Sequence, residues 1–306
     1  MGNTNGKGLM YAVFTASLWG FLAIALKVAL SGLSPIQVVW FRFTTAFLVL
    51  LVWTVIFRPE DLKIFRRPPV ILVLAALFLG VNYLGFISGV KYTSPSIAQV
   101  FIQIGPVGFA VSGILIFKES VNWKHFTGFA LVITGLGLFY SEQITGVHAT
   151  DAGFTRGIFL ILGGGLAWSV FATFQKRLVV KYPTNQLNLF IYGLCGLIML
   201  PFVHPADFAG LNGGDFLLLF FLGLNTVLAY GSLALAIKYT EANRVSVILT
   251  LNPVITFITM YFLATADVSW IAHESFTGLA LIGALTALGG AILVIMAGKK
   301  KKAATN

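Results

Sequence analysis

The chain has 306 residues, 58% of them hydrophobic and only 10% charged, with a mean hydropathy of +0.92. Soluble domains carry about 25% charged residues, and no soluble surface hides this much apolar side chain, so lipid is the solvent for most of the sequence. The formal charge of +10 does not mark a nucleic-acid partner, because the basic residues fall between apolar runs and form no stripe.

A helix needs about 20 apolar residues to cross a hydrocarbon core of ~30 Å, and the runs predict ten spans. The first, 8–30, follows Lys7 as a signal peptide would, but it is too long for such a segment and reads as a retained helix. Gly6 stands where a myristoylation signal needs Ser or Thr. Trp19 lies near mid-depth, away from the interfaces where tryptophan anchors, and offers a stacking face and one N–H donor. Lys27 lies about 12 Å further along the axis, where it either snorkels to the interface or faces protein. Span 35–57 carries Arg42 a turn or two inside the membrane; such an arginine faces protein or water, and a structural role comes first.

Span 70–90 holds Asn82 and Tyr83, and span 95–117 holds Gln99 and Gln103, which share a helix face. Pro106 removes a backbone hydrogen bond from the carbonyl of Ile102 and predicts a kink. The glycine-rich span 124–141 closes the first half. Span 157–176 carries Trp168 and ends on Lys176; 186–203 contains Cys195, the sole cysteine, which reads as a buried inert thiol. Asn225 lies in 214–238, Thr250, Asn252 and Pro253 in 243–265, and 276–297 is the last span. Polar side chains at these depths serve either interhelical hydrogen bonds or a substrate. Trp19, Asn82, Tyr83, Gln99, Gln103, Trp168, Asn225 and Asn252 are the candidate cavity lining, and Pro106 and Pro253 the candidate hinges.

Lysine and arginine mark the cytoplasmic side. With the N-terminus inside, sixteen of the twenty fall on that side, including Lys176 and the run Lys299–Lys302, and both termini are cytoplasmic. Lys91 and Arg156 fall outside, and Lys27 and Arg42 within helices.

The two halves, 1–145 and 146–306, align with each other as repeats within one transmembrane domain. Trp19 answers Trp168, and each is followed eight residues later by a lysine, Lys27 or Lys176. Phe78–Asn82 answers Phe221–Asn225, Lys91–Thr93 answers Lys238–Thr240, and Pro106 answers Pro253. Asn122-Trp123 answers Ser269-Trp270, and Phe126–Gly128 answers Phe276–Gly278. Five spans per half is an odd number, so the second repeat enters the bilayer inverted, an architecture used by many secondary transporters.

These residues resemble the drug/metabolite transporter superfamily in its ten-helix EamA-type form. Family halves open with a Trp-Gly helix and a downstream lysine, matched by Trp19, Gly20 and Lys27; an arginine follows in helix 2, matched by Arg42. A helix-4 proline then precedes a Gly-Glu turn and a glycine-rich helix, matched by Pro106, Lys118-Glu119 and Gly128 to Gly137. Lys118 replaces the usual glycine, and the second half has Ala264–Asp267 where another glutamate is expected, with Asp267 the candidate for its place. The resemblance implies an alternating-access carrier of small metabolites such as amino acids or purines, often an exporter.

All ten acidic residues fall in loops or at span ends, so the buried carboxylate of many proton-coupled cation exporters is missing. That favours a neutral, zwitterionic or anionic substrate, with a quaternary amine held on aromatic faces as the alternative. The four histidines lie at loops or span ends, and no hydrolase, P-loop or zinc motif occurs. The sequence therefore predicts a multi-pass cytoplasmic-membrane carrier with no enzyme activity, cofactor or metal. Its partners are a small-molecule substrate and the lipid bilayer, with a homodimer open; a channel-like facilitator or a non-transporting membrane scaffold are the other readings.

Overall fold

The computed structural model describes residues 2–119, 121–144, 152–272 and 277–296. Asp151, Glu274, His148, His273, Phe276 and the Lys299–Lys302 run lie outside the described residues.

The described residues contain helices and no strand. They form α1 (Gly2–Ala29), α2 (Pro35–Phe57), α3 (Val70–Tyr92), α4 (Pro95–Phe101), α5 (Ile104–Leu115) and α6 (Trp123–Ile144). The second half supplies α7 (Ala152–Leu178), α8 (Thr184–Met199), α9 (Gly213–Tyr239), α10 (Ala242–Leu249), α11 (Asn252–Thr265) and α12 (Gly278–Met296). Eight stretches among the described residues are long and apolar enough to cross a membrane, counting α4 with α5 and α10 with α11 as one stretch each. α1 begins six residues earlier than the apolar run suggested.

Local chemistry sets the starts. Pro35 follows Ser34, whose N–H donates to Gln37 Oε1 at 2.8 Å; Pro95 follows Ser94, whose hydroxyl accepts from the Ile97 N–H at 3.3 Å. Asn212 accepts from Gly214 and Asp215 N–H, while Asp215 accepts from the Asn212 N–H, so three of the otherwise unpaired amides at the start of α9 are satisfied.

The spans expected at 95–117 and 243–265 are each two helices. The first break falls at Ile102–Gln103, one turn before Pro106, and the second at Thr250–Leu251, just before Pro253. Proline cannot donate to the Ile102 carbonyl, which instead accepts from the Gly105 N–H at 2.9 Å; Gln103 likewise donates to Val100 at 2.9 Å. At the second break Leu251 donates to Ile248 and Val254 to Leu251, both at 3.1 Å. These tightened turns leave helical pieces free to differ in direction.

Packing runs across the chain rather than along it. α1 lies on α9, α3 on α7, α2 on α8 and α6 on α12; α5 packs on α7 and α10, and α11 on α1 and α4. α3 and α7 approach closely, because a Cβ at Gly85 would lie 2.6 Å from the Leu160 carbonyl oxygen. Large aliphatic and aromatic side chains such as Met10, Leu115, Leu217 and Phe262 are exposed on the outside, as lipid requires.

Candidate functional site

A cavity of about 60 Å³ lies at the centre, where α1, α2, α3, α7 and α9 meet the two broken segments. That is room for on the order of four waters, each needing ~10–15 Å³ of such space. Trp19, Asn82, Tyr83, Gln99, Gln103, Trp168 and Asn252 all line it, as does Pro106. Asn225 and Pro253 are not among the lining side chains. Arg42, Tyr230, Phe86 and Leu22 also line it. Tyr230 and Phe86 escape a sequence reading, since an aromatic at mid-depth faces lipid or protein with the same apolar neighbours in the chain.

Aromatic rings form much of the wall. Trp19 and Trp168, the repeat pair, meet edge to face with centroids 5.8 Å apart, and Trp19 lies 5.2 Å from Tyr230. Phe109 supports the far side of Trp168 at 6.0 Å. The Trp168 indole N–H lies beside the Tyr230 hydroxyl without a well-formed hydrogen bond.

The polar residues divide between fastening helices and facing the cavity. The Asn82 amide donates to the Gly164 carbonyl at 3.0 Å, and its repeat counterpart Asn225 donates to Leu18 at 3.1 Å, so each ties its helix to the one opposite. Gln99 donates to the Trp19 carbonyl, and Gln103 to the Gln99 carbonyl across the helix break at 2.9 Å. The side-chain oxygens of Gln103 and Asn252 are buried and have no hydrogen-bond partner among the described residues.

Arg42 is buried, with 2% of its surface exposed. Its Nε donates to the Thr226 hydroxyl at 3.2 Å and Nη2 to the Tyr83 hydroxyl at 3.4 Å. The guanidinium carbon lies 4.5 Å from the Tyr83 ring centre, and Phe43 stacks on that ring at 4.3 Å. The Thr226 hydroxyl gives its own proton to Leu222 at 3.0 Å, which leaves its lone pairs for Arg42 and Tyr83.

The two repeat lysines cap helix ends. Lys27 Nζ donates to the Val90 and Thr93 carbonyls at 3.0 and 2.6 Å, at the end of α3, rather than only snorkelling to an interface. Lys176 does the same to Thr240 at 3.3 Å, at the end of α9, and also forms an ion pair with Glu119 at 2.8 Å. Glu119 further accepts from the Ala242 and Asn243 N–H groups at 2.7 and 3.0 Å, so a carboxylate from the first half caps α10 in the second. Sequence reading placed Glu119 only at a span end; the Gly-Glu turn was the signal that it matters.

The turn after α11 resolves the place of Asp267. Lys118 and Asp267 have φ of 51° and 50°, the only non-glycine residues with positive φ among the described residues, so Asp267 is the counterpart of Lys118. Val268, not Asp267, then stands where Glu119 stands, and it packs beside Ile24, Met260 and Ile271. At the position of Glu119 one turn places an ion-paired carboxylate and the other an apolar side chain.

Comparison with known proteins places this architecture. The EamA-like transporter family model matches the chain twice, over residues 6–141 and 155–296. The chain belongs to that family. A protein of Escherichia coli (strain K12) named uncharacterized inner membrane transporter YhbE is 31% identical to this EamA-like chain over 290 residues, covering 94% of this chain and 90% of that one. A protein of Salmonella typhimurium named probable amino-acid metabolite efflux pump is 23% identical over 295 residues, covering 91% of each. A solved crystal structure shares the fold with a TM-score of 0.73 at 17% identity, covering 95% of this chain and 97% of that chain. This EamA-like protein is a multi-pass transporter of the inner, cytoplasmic membrane.

Proposed function

We propose that the chain is a secondary carrier that exports a small neutral, zwitterionic or anionic metabolite, such as an amino acid, by alternating access. The observation that carries this reading is the central cavity, whose wall joins Trp19 of one half to Trp168 of the other. The name of the Salmonella relative supports an amino-acid-like cargo.

On this reading the bilayer is crossed ten times, as two inverted five-span repeats, 1–145 and 146–306, integrated in one domain with both termini cytoplasmic. The exchange of partners supports it: α1 lies on α9 as its counterpart α7 lies on α3, α5 lies on α10 as its counterpart α11 lies on α4, and the equivalent pairs α6 with α12 and α2 with α8 meet each other. Sixteen of twenty basic residues on one side support the orientation. On this reading the helices separate at one end of the cavity to load it and at the other to release the cargo. The breaks before Pro106 and Pro253 are where the pieces can swing.

Counterflow in proteoliposomes tests the proposal. Unlabelled substrate inside should accelerate uptake of labelled substrate in the parent, and Trp19→Ala, Trp168→Ala and Gln99→Ala should each lower that flux about tenfold or more, as loss of a buried contact worth ~1.4 kcal/mol does. Flux without trans-stimulation would mean a channel-like facilitator, and flux untouched by all three substitutions would move the site elsewhere.

A further inference from the structure

We propose that Arg42 is the anion anchor of this cavity, and that the cargo is a small carboxylate whose body lies against Trp19, Trp168 and Tyr230. The inference deepens the reading of the cavity as the transport site and rests on it.

Three observations carry it. First, Arg42 is buried inside the bundle and lines the cavity, yet no carboxylate pairs with it among the described residues. A guanidinium offers five N–H donors, and its two hydrogen bonds go to neutral hydroxyls, leaving Nη1 without a partner among the described residues. A buried charge held only by hydroxyls and one ring face is under-compensated, and an anion brought into the cavity restores the balance.

Second, the guanidinium is held in place before any cargo arrives. Its plane rests on Tyr83, which stacks on Phe43, while Thr226 and the Tyr83 hydroxyl fix its edge. A pre-set planar fork matches the two oxygens of a carboxylate better than a mobile ammonium does. Third, the rest of the wall is aromatic, aliphatic or uncharged amide and contains no acidic side chain. Such a lining takes an apolar body and opposes a quaternary ammonium, since like charges repel strongly at low dielectric. The unpartnered side-chain oxygens of Gln103 and Asn252 are acceptors that a primary ammonium on the same molecule can meet.

The test uses the purified full chain in detergent, read by thermal unfolding and by tryptophan fluorescence titration. The probes are matched sets that differ only in charged groups: L-phenylalanine, 3-phenylpropanoate and 2-phenylethylamine, then L-leucine, 4-methylpentanoate and 3-methylbutylamine. Expected are binding of the acids and no binding of the amines to the parent. Arg42→Gln should weaken the acids about 30-fold or more, and Arg42→Lys should retain part of the affinity. Amines that bind the parent as tightly as the acids overturn the assignment without any variant. So does an Arg42→Gln protein that unfolds cooperatively and keeps its affinity for acids, and so does a parent that binds no probe of either set. Trp168→Ala separates the two levels of the argument. If it abolishes binding that Arg42→Gln leaves intact, the cavity stands and the anchor falls. If neither change affects binding, the cavity itself is the wrong site.

Discussion

Lys118 and Asp267 hold left-handed backbone, with φ of 51° and 50°, at the turns that close α5 and α11. A residue with a Cβ is disfavoured there by about 1–2 kcal/mol, although aspartate tolerates the conformation better than lysine. Lys118 is exposed, so its side chain has little to lose. Glycine would relieve the clash but adds freedom to the unfolded chain, and Lys118→Gly should still gain about 0.5–1 kcal/mol, with Asp267→Gly gaining less. Thermal unfolding in detergent reads the order, and a lower midpoint for Lys118→Gly would show that the lysine itself is needed. The same two angles explain which parts of the site could be read early. Trp19, Trp168, Gln99 and Asn252 stood out because polar or indole groups do not belong in lipid. Val268 did not, because assigning it as the partner of Glu119 needs the backbone conformation of the residue before it. Arg42 was visible as a buried charge, but its open edge toward the cavity depends on how α2, α3 and α9 cross.

At the scale of elements, hydrophobic length gave the apolar stretches and proline gave their weak points. The break in the first pair lies a full turn before Pro106, because the freed Ile102 carbonyl is recaptured by Gly105 and the bend moves upstream. Which helices touch was less legible, since lipid-facing and protein-facing sides of α3 are almost equally apolar. Glycine is the exception. Gly85 and Gly164 let α3 and α7 meet backbone to backbone, and Asn82 reaches the Gly164 carbonyl only at that distance. In Gly85→Ala the new Cβ would lie 2.6 Å from Leu160 O and 3.1 Å from Gly164 Cα, both backbone atoms that cannot rotate aside. The helices must part, and overpacking of this kind costs about 1–3 kcal/mol. The expected result is a lower unfolding midpoint and weaker transport together, because the displaced Asn82 also lines the cavity. Gly137, whose Cβ would meet nothing within 4 Å, is the control and should tolerate alanine.

For the whole molecule, the turns that follow α5 and α11 are fastened by different chemistry, and on the proposed alternating-access reading that difference biases which end opens. After α5, Glu119 binds Lys176 and the first amides of α10, whereas after α11 Val268 rests among Ile24, Met260 and Ile271. The Glu119 carboxylate and Lys176 ammonium are largely buried, with side-chain exposures of 7% and 15%. In the proposed orientation this ion pair closes the cytoplasmic end. Removing one partner of a buried pair costs about 3–5 kcal/mol. If a third of that reaches the opening equilibrium, the inward-open population rises about tenfold. Glu119→Gln keeps an oxygen for the α10 amides and loses the ion pair, so it weakens the fastening without removing the cap. The readout is a cysteine at Gln103 in a Cys195→Ala background, labelled in oriented vesicles with a membrane-impermeant maleimide. Adding Glu119→Gln should speed labelling from the cytoplasmic face about tenfold and slow it from the opposite face. Faster labelling from the outer face instead would reverse the assigned orientation, and equal rates with and without the substitution would mean that the ion pair braces α10 without controlling access.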